Sequence, residues 1–207
     1  ASIENSVFEL GLSAERAMAG FDKQQIQLSD HNWTYLEAGN PSDPTVVLLH
    51  GFAADKDNWT RMVQKLEGFH VIAPDLPGHG DSSFDNNQHY GFDKQSLRLA
   101  EFVDALGLTR FHLVGNSMGG GIAGLYAYRH PGKVLSLALL DAAGFYGDEP
   151  SELQLLIENN QKNPLIVRSP QDMEVLMNFA MEQVPFLPWP ATNVLARRAM
   201  AKEPAND

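Results

Sequence analysis

The fold is most constrained by a series of short apolar runs separated by helical patterns. Thr45–His50, with Val46-Val47-Leu48-Leu49 inside it, is followed by His70–Pro74, Arg110–Gly115 and Val134–Asp141. Each run is too short for a helix and has no polar face, so each is expected as a strand buried on both sides. Helical patterns fall between them: Asn58–Leu66, Asp93–Leu106 and Ser117–Arg129. In the second, Leu97, Ala100 and Leu106 share a side and Gly107 stands just past the end. Strands alternating with helices give an α/β class with a mostly parallel sheet. Ahead of this series, residues 5–20 are expected as a helix capped by Ser6, and residues 24–37 as a strand pair. After Gly144 the strand patterns stop. Residues 149–202 hold only helical patterns, with Pro150 and Pro170 as first-turn prolines and Ser169 as a cap. Lys202–Asp207 is polar and expected to fray.

Composition narrows the function. The 207 residues carry 15 Lys+Arg against 26 Asp+Glu, a net charge of −11. That disfavours nucleic acid and anionic membranes as partners. There is no cysteine, which excludes disulfides, thiolate catalysis and cysteine–zinc sites and leaves the redox compartment open. No apolar run approaches the ~20 residues of a transmembrane span. The sequence opens on Ala1 rather than Met, so no signal peptide is expected to be visible even in an exported protein, and exported and cytoplasmic locations both stay open.

Gly115-Asn116-Ser117-Met118-Gly119 is the sharpest chemical signal. It matches G-x-S-x-G, and it follows an apolar strand and opens a helix, which is the context that motif requires. A serine on so tight a turn exposes its hydroxyl, and the flanking glycines remove side chains that would collide there. The glycines at 119, 120 and 121 let the next helix lie close to the sheet, and its N-terminus favours developing negative charge. His50-Gly51-Phe52 ends the strand at Thr45–Leu49. Acyl transfer needs two donors for an oxyanion, and the amides of Met118 and Phe52 are the candidates. Asp75-Leu76-Pro77-Gly78-His79-Gly80-Asp81-Ser82 is read as a structural loop beside the site, His79 included.

These pieces, in this order, resemble the α/β-hydrolase-fold serine hydrolases over residues 24–144. The wording around Ser117 and the run Leu139-Leu140-Asp141-Ala142-Ala143-Gly144 look most like bacterial lipases and esterases, including the cold-adapted type. The resemblance implies Ser117 as nucleophile, Phe52 and Met118 as oxyanion donors, and His50, Gly51, Asn116 and Gly119 as supporting residues. It also implies ester hydrolysis through an acyl-enzyme. On this basis residues 1–144 are expected as the N-terminal part of the hydrolase core and 145–207 as part of a helical cap over the site.

The chain departs from that pattern in its base. The triad order in this fold is Ser, then Asp or Glu, then His. The seven histidines stand at 31, 50, 70, 79, 89, 112 and 130, and none lies beyond 130. Asp141 has two roles open to it, the triad acid in a variant arrangement or a strand-end cap. The expectation is that further strand–helix units, roughly 80–100 residues, belong to the protein and carry acid and histidine. They would lie on a continuation of the chain or on a second chain. Two other outcomes stay open: a same-fold hydrolase of carbon–carbon bonds, amides or lactones, and an inactive fragment or non-catalytic binder.

Met173, Met177 and Met181, followed by Pro185-Phe186-Leu187-Pro188-Trp189-Pro190, are either the inner face of a cap helix or a lid surface for acyl chains. The partner expected is a small-molecule or lipid ester. No metal or cofactor is expected, because no His/Asp/Glu set has ligand spacing.

Overall fold

A computed structural model describes residues 2–201; the Lys202–Asp207 tail lies outside them. Ser13–Phe145 form one compact unit. The second is built from the chain ends, before residue 13 and after residue 145.

The first unit is a six-stranded sheet flanked by helices. Its strands are β1 (Asp22–Gln27), β2 (Asn32–Ala38), β3 (Thr45–Leu49), β4 (His70–Pro74), β5 (Phe111–Asn116) and β6 (Val134–Leu140), in the order β1-β2-β4-β3-β5-β6. The β1–β2 and β2–β4 pairs are antiparallel and the other three pairs are parallel. The class is α/β, as the run-and-helix alternation implies. A 3₁₀ turn, Lys56–Trp59, leads into the short α2 (Thr60–Val63); α3 is Phe92–Ala105 and α4 is Met118–Arg129.

Alternation along the strands sends neighbouring residues to opposite layers. Val47 and Leu49 pack with Leu99, Phe102, Val103, Ile122 and Tyr126 under α3 and α4. Val46 and Leu48 pack on the other face with Phe21, Trp59 and Val63. Both layers must be filled for β3 and β4 to be wholly buried, and they are.

Three expectations are corrected. The inward face of α3 is Leu99, Phe102 and Val103, while Leu97 is exposed. Gln95 and Arg98 also turn inward, because Gln95 donates to Pro77 O at 2.9 Å and Arg98 to Asp30 at 2.8 Å and to His89 O at 2.7 Å. Second, β6 is not buried on both faces: Leu135, Leu137, Leu139 and Leu140 are exposed. It is the sheet edge, and among the described residues nothing pairs with its outer side. Third, two helix starts move. α1 spans Ser2–Met18, so Ser6 lies inside it and bonds back to Ser2 O. Pro150 precedes the cap Ser151, whose side chain accepts from Gln154 N.

The second unit holds α5 (Glu152–Glu158), α6 (Pro170–Ala180) and α7 (Ala191–Ala201). Ser169 caps α6 and Pro170 opens it. Met173 and Met177 are buried with Val167 and Ala196, so these two methionines form the unit's own core. Met181 follows the helix and is exposed.

Candidate active site

The C-terminal ends of β3, β5 and β6 lie side by side, with Leu49 opposite Gly115 and Gly115 opposite Leu139. The Phe52, Ser117 and Asp141 segments each follow one of these three ends. Ser117 sits between β5 and α4 at φ 51° and ψ −117°, a region non-glycine residues rarely occupy and which costs about 1–3 kcal/mol. Four bonds hold it there. Its N–H donates to Leu140 O at 2.9 Å, and its carbonyl accepts from Gly120 N, Gly121 N and Ala143 N at 2.9, 3.2 and 2.9 Å.

Glycine is required around this turn by contact. A Cβ on Gly115 would stand 2.3 Å from Gly119 O, and one on Gly119 2.4 Å from His50 O and 2.5 Å from Leu49 O. One on Gly120 would meet Ala142 Cβ at 2.5 Å. The backbone after β3 therefore lies directly against the start of α4. Gly51 is close as well, since its Cβ would be 3.2 Å from Ser117 Cβ and 3.0 Å from Asn116 Oδ1. Met118 is the first residue of α4, and the first amides of a helix have no intrahelical acceptor. The Phe52 loop is thus within reach of Ser117, beside the helix N-terminus.

His50 is buried and both ring nitrogens are engaged. Nδ1 donates to Gly51 O at 2.8 Å, and Nε2 accepts from Leu76 N at 3.0 Å. It clamps the Phe52 loop to the loop after β4. His79 is buried beside it, the ring centroids 5.2 Å apart, and 6.2 Å from the Phe52 ring. A small cavity of about 190 Å³ is lined by His50, Asn58, Trp59, Asn116 and Leu140. Asn116 Nδ2 donates to Leu140 O at 3.2 Å.

Asp141 follows β6 in a positive-φ conformation and is exposed. Among the described residues no histidine is bonded to Ser117. His31 meets Tyr90, His70 meets Glu37, His112 meets Ser136, and His130 packs on Tyr126; His89 is exposed.

The sequence reading missed an ionic cluster under the Phe52 loop. Buried Lys56 places Nζ 2.7 Å from Asp75 Oδ2, 3.0 Å from Asp81 Oδ2 and 3.7 Å from Asp57 Oδ2. Asp75 also accepts from Lys56 N and Asp81 N, both at 2.7 Å. Burial opposes the charge on Lys56, but the Asp75 and Asp57 carboxylates hold its ammonium above the ordinary lysine range. Asp55 caps the 3₁₀ turn. Burial, with the Asp75 and Asp57 charges, pushes its carboxyl up to about 6. Gly80 completes the cluster, because a Cβ there would lie 2.0 Å from the Asp75 carboxyl carbon. The signal available in sequence was a lysine three residues past the Phe52-Ala53 step, with an aspartate at the end of the next strand.

A strand–serine–helix elbow with a glycine-lined approach from the neighbouring strand is the arrangement of one family, and the model for the alpha/beta hydrolase fold matches residues 44–184. The chain belongs to the α/β-hydrolase fold family. Among its relatives in that family, a lipase of Psychrobacter immobilis is 40% identical over 187 residues, 88% of this chain and 58% of the lipase. A monoacylglycerol lipase of Xenopus laevis is 37% identical over 172 residues, 78% of this chain and 51% of that protein. Among solved structures, a bacterial membrane phospholipase A superposes with a TM-score of 0.95 at 44% identity, covering 99% of this chain and 66% of its own. This α/β-hydrolase chain therefore spans little more than half the length of the curated relatives it matches.

Proposed function

We propose that the protein is a carboxylic ester hydrolase of the lipase and esterase type, with Ser117 as its nucleophile. The observation that carries this is the strained backbone of Ser117, held by four bonds at the junction of three strand ends. Strain of that kind persists where the surroundings over-determine it, and it clusters at reactive positions. In this reading Ser117 Oγ attacks the acyl carbon while an imidazole takes its proton. The amides of Phe52 and Met118 donate to the oxyanion. Collapse breaks the ester C–O bond and the imidazole returns the proton to the leaving alkoxide. Water then hydrolyses the acyl-enzyme by the same route.

The base comes from outside these 207 residues. Support for this lies in β6, whose leucines are exposed on a sheet edge next to Ser117, and in the chain's histidines, none of which is bonded to Ser117 among the described residues. A further strand laid along β6 would cover those leucines and bring its following loop to the Ser117 side. Asp141, at the end of β6, is the candidate acid if the added segment supplies only the imidazole. Residues 145–207 are part of the helical cap of the enzyme. The substrates are acyl esters of glycerol or similar alcohols, which is what the relatives named as lipases support.

The test is hydrolysis of a p-nitrophenyl ester series by the full gene product and its Ser117→Ala variant. Loss of at least about 10⁴-fold in kcat is expected for the variant. Turnover retained within tenfold would refute the assignment of the nucleophile.

A further inference from the structure

The peptide that joins Gly51 to Phe52 is fixed by its oxygen. Gly51 O accepts from His50 Nδ1 at 2.8 Å and from Ala54 N at 3.2 Å. A trans peptide is planar, with its N–H and C=O on opposite sides. Holding the Gly51 oxygen therefore sets the direction in which Phe52 N–H leaves, away from both donors. Among the described residues no acceptor is bonded to that N–H, so it is available to a guest.

Two consecutive residues of another loop hold the two ends of this turn. At the front, Leu76 N donates to His50 Nε2 at 3.0 Å. At the back, Asp75 accepts from Lys56 N and from Lys56 Nζ, both at 2.7 Å. Between these ends Ala53 has a φ of 57°, a value at the third residue of a turn that glycine takes freely and alanine resists. The charges around Lys56 make the back end depend on it. Asp57 and Asp81 each have a second cation, Arg16 and Lys23, at 2.6 Å. Asp75 is fully buried, and among the described residues Lys56 is its only cation. A buried carboxylate without a counter-charge is costly. Removing the ammonium therefore drives Asp75 to protonate or to shift, and its bond to Lys56 N weakens with it.

We propose that Lys56 is a positioning residue for ester hydrolysis: through Asp75 it keeps the Gly51–Ala54 turn closed, and so keeps the Phe52 amide aimed for an oxyanion. This rests on the ester-hydrolase reading, in which the Phe52 and Met118 amides share that oxyanion. Lys56 touches no substrate. Its effect falls on the transition state, where charge has moved onto the oxygen, and not on ground-state binding. Ala53 keeps its strained φ because both ends of the turn are held. Once the Lys56 end is loosened the alanine draws the turn open, and a glycine at that position would not.

The experiment uses the full gene product and p-nitrophenyl butyrate, at a temperature where tryptophan emission shows each variant folded. Lys56→Met should lower kcat about 30-fold, short of the roughly 10²–10³-fold that losing an oxyanion donor outright costs, with KM within about twofold. Inhibition by a linear alkyl trifluoromethyl ketone should weaken by a similar factor. Ser117 Oγ adds to its carbonyl carbon, the π pair moves onto the oxygen and the serine proton goes to the base, so the adduct carries the same oxyanion. Adding Ala53→Gly to Lys56→Met should recover about fivefold in kcat. Lys56→Gln leaves Asp75 a neutral donor and should lose about tenfold; it carries the comparison where Lys56→Met gives no folded protein. A kcat within about twofold of the parent for both Lys56 variants overturns the proposal. So does a loss that falls on KM, or a Lys56→Met/Ala53→Gly double variant no faster than Lys56→Met alone, since a general loosening of the fold is not mended by a glycine. Ser117→Ala keeps the two readings apart. When it is inactive and the Lys56 variants match the parent, this proposal falls alone. When it retains turnover, ester hydrolysis at Ser117 falls and takes this proposal with it.

Discussion

Replacing Lys56 by Met keeps most of the volume of the side chain and removes the ammonium, its charge and its donors to Asp75 and Asp81 together. In the folded protein Asp75 is fully buried. Without Lys56 Nζ at 2.7 Å, its carboxylate keeps two donors, Lys56 N and Asp81 N, but no counter-charge. Breaking a buried ion pair from one side costs about 3–5 kcal/mol, since the other charge stays buried without compensation. The two remaining N–H donors put this case near the lower end, about 3 kcal/mol. Part of that returns when the orphaned charge is also removed, so Lys56→Met with Asp75→Asn should cost less than the two single changes added together. Urea unfolding followed by tryptophan emission is the assay, because Trp33 and Trp59 are both buried in this unit. An unchanged m-value certifies that only stability has moved. A cost below about 1 kcal/mol for Lys56→Met, or a double variant as unstable as the summed singles, would refute the reasoning.

Asp55 gives a pH signature. Its carboxyl is raised in the folded state from 3.8 to about 6, so the folded state binds the extra proton between those values and stability is shed as pH rises through them. Asp55→Asn mimics the protonated form; it should match the parent near pH 4 and exceed it at pH 7 by up to about 3 kcal/mol, read from urea midpoints. Equal midpoints at pH 7 would contradict this. Gly119→Ala drives a Cβ into His50 O and Leu49 O, both backbone, and should cost about 3 kcal/mol. Gly11→Ala, in α1 with nothing within 4 Å, should instead gain about 0.5–1 kcal/mol; thermal melts of the two variants check the contrast. Leu139→Lys should lower the melting temperature of the full gene product, because the segment proposed to lie along β6 covers that side chain and a buried unpaired charge is costly; an unchanged melt would contradict the added strand.

Local chemistry made much of this legible in advance. β3 and β4 announce themselves because a strand covered on both faces has no polar side to confuse the reading. The Ser117 turn is written in five consecutive residues, and the collisions that exclude side chains at 115 and 119 follow from that turn. Other features depend on partners far away in sequence. Leu135–Leu140 shows what a strand needs, not what covers it, so the exposure of β6 could not be read from its leucines. The face of α3 was misplaced because apolar residues at 97, 99, 100, 102, 103 and 106 fit more than one helical stripe. Hydrogen bonds to Pro77, Asp30 and His89 then drew Gln95 and Arg98 inward against their polarity. Lys56 was missed for the same reason, since hydropathy places a lysine outside and only Asp75, nineteen residues on, brings it in.

The central claim is that Ser117 is an activated nucleophile. The most direct test is the mass of the adduct formed when the full gene product is treated with a fluorophosphonate, located by peptide mass spectrometry. A single phosphonyl group on the peptide containing Ser117, abolished by Ser117→Ala, is predicted. An adduct on another serine, or hydrolysis of esters by protein that the probe leaves unmodified at Ser117, would contradict it.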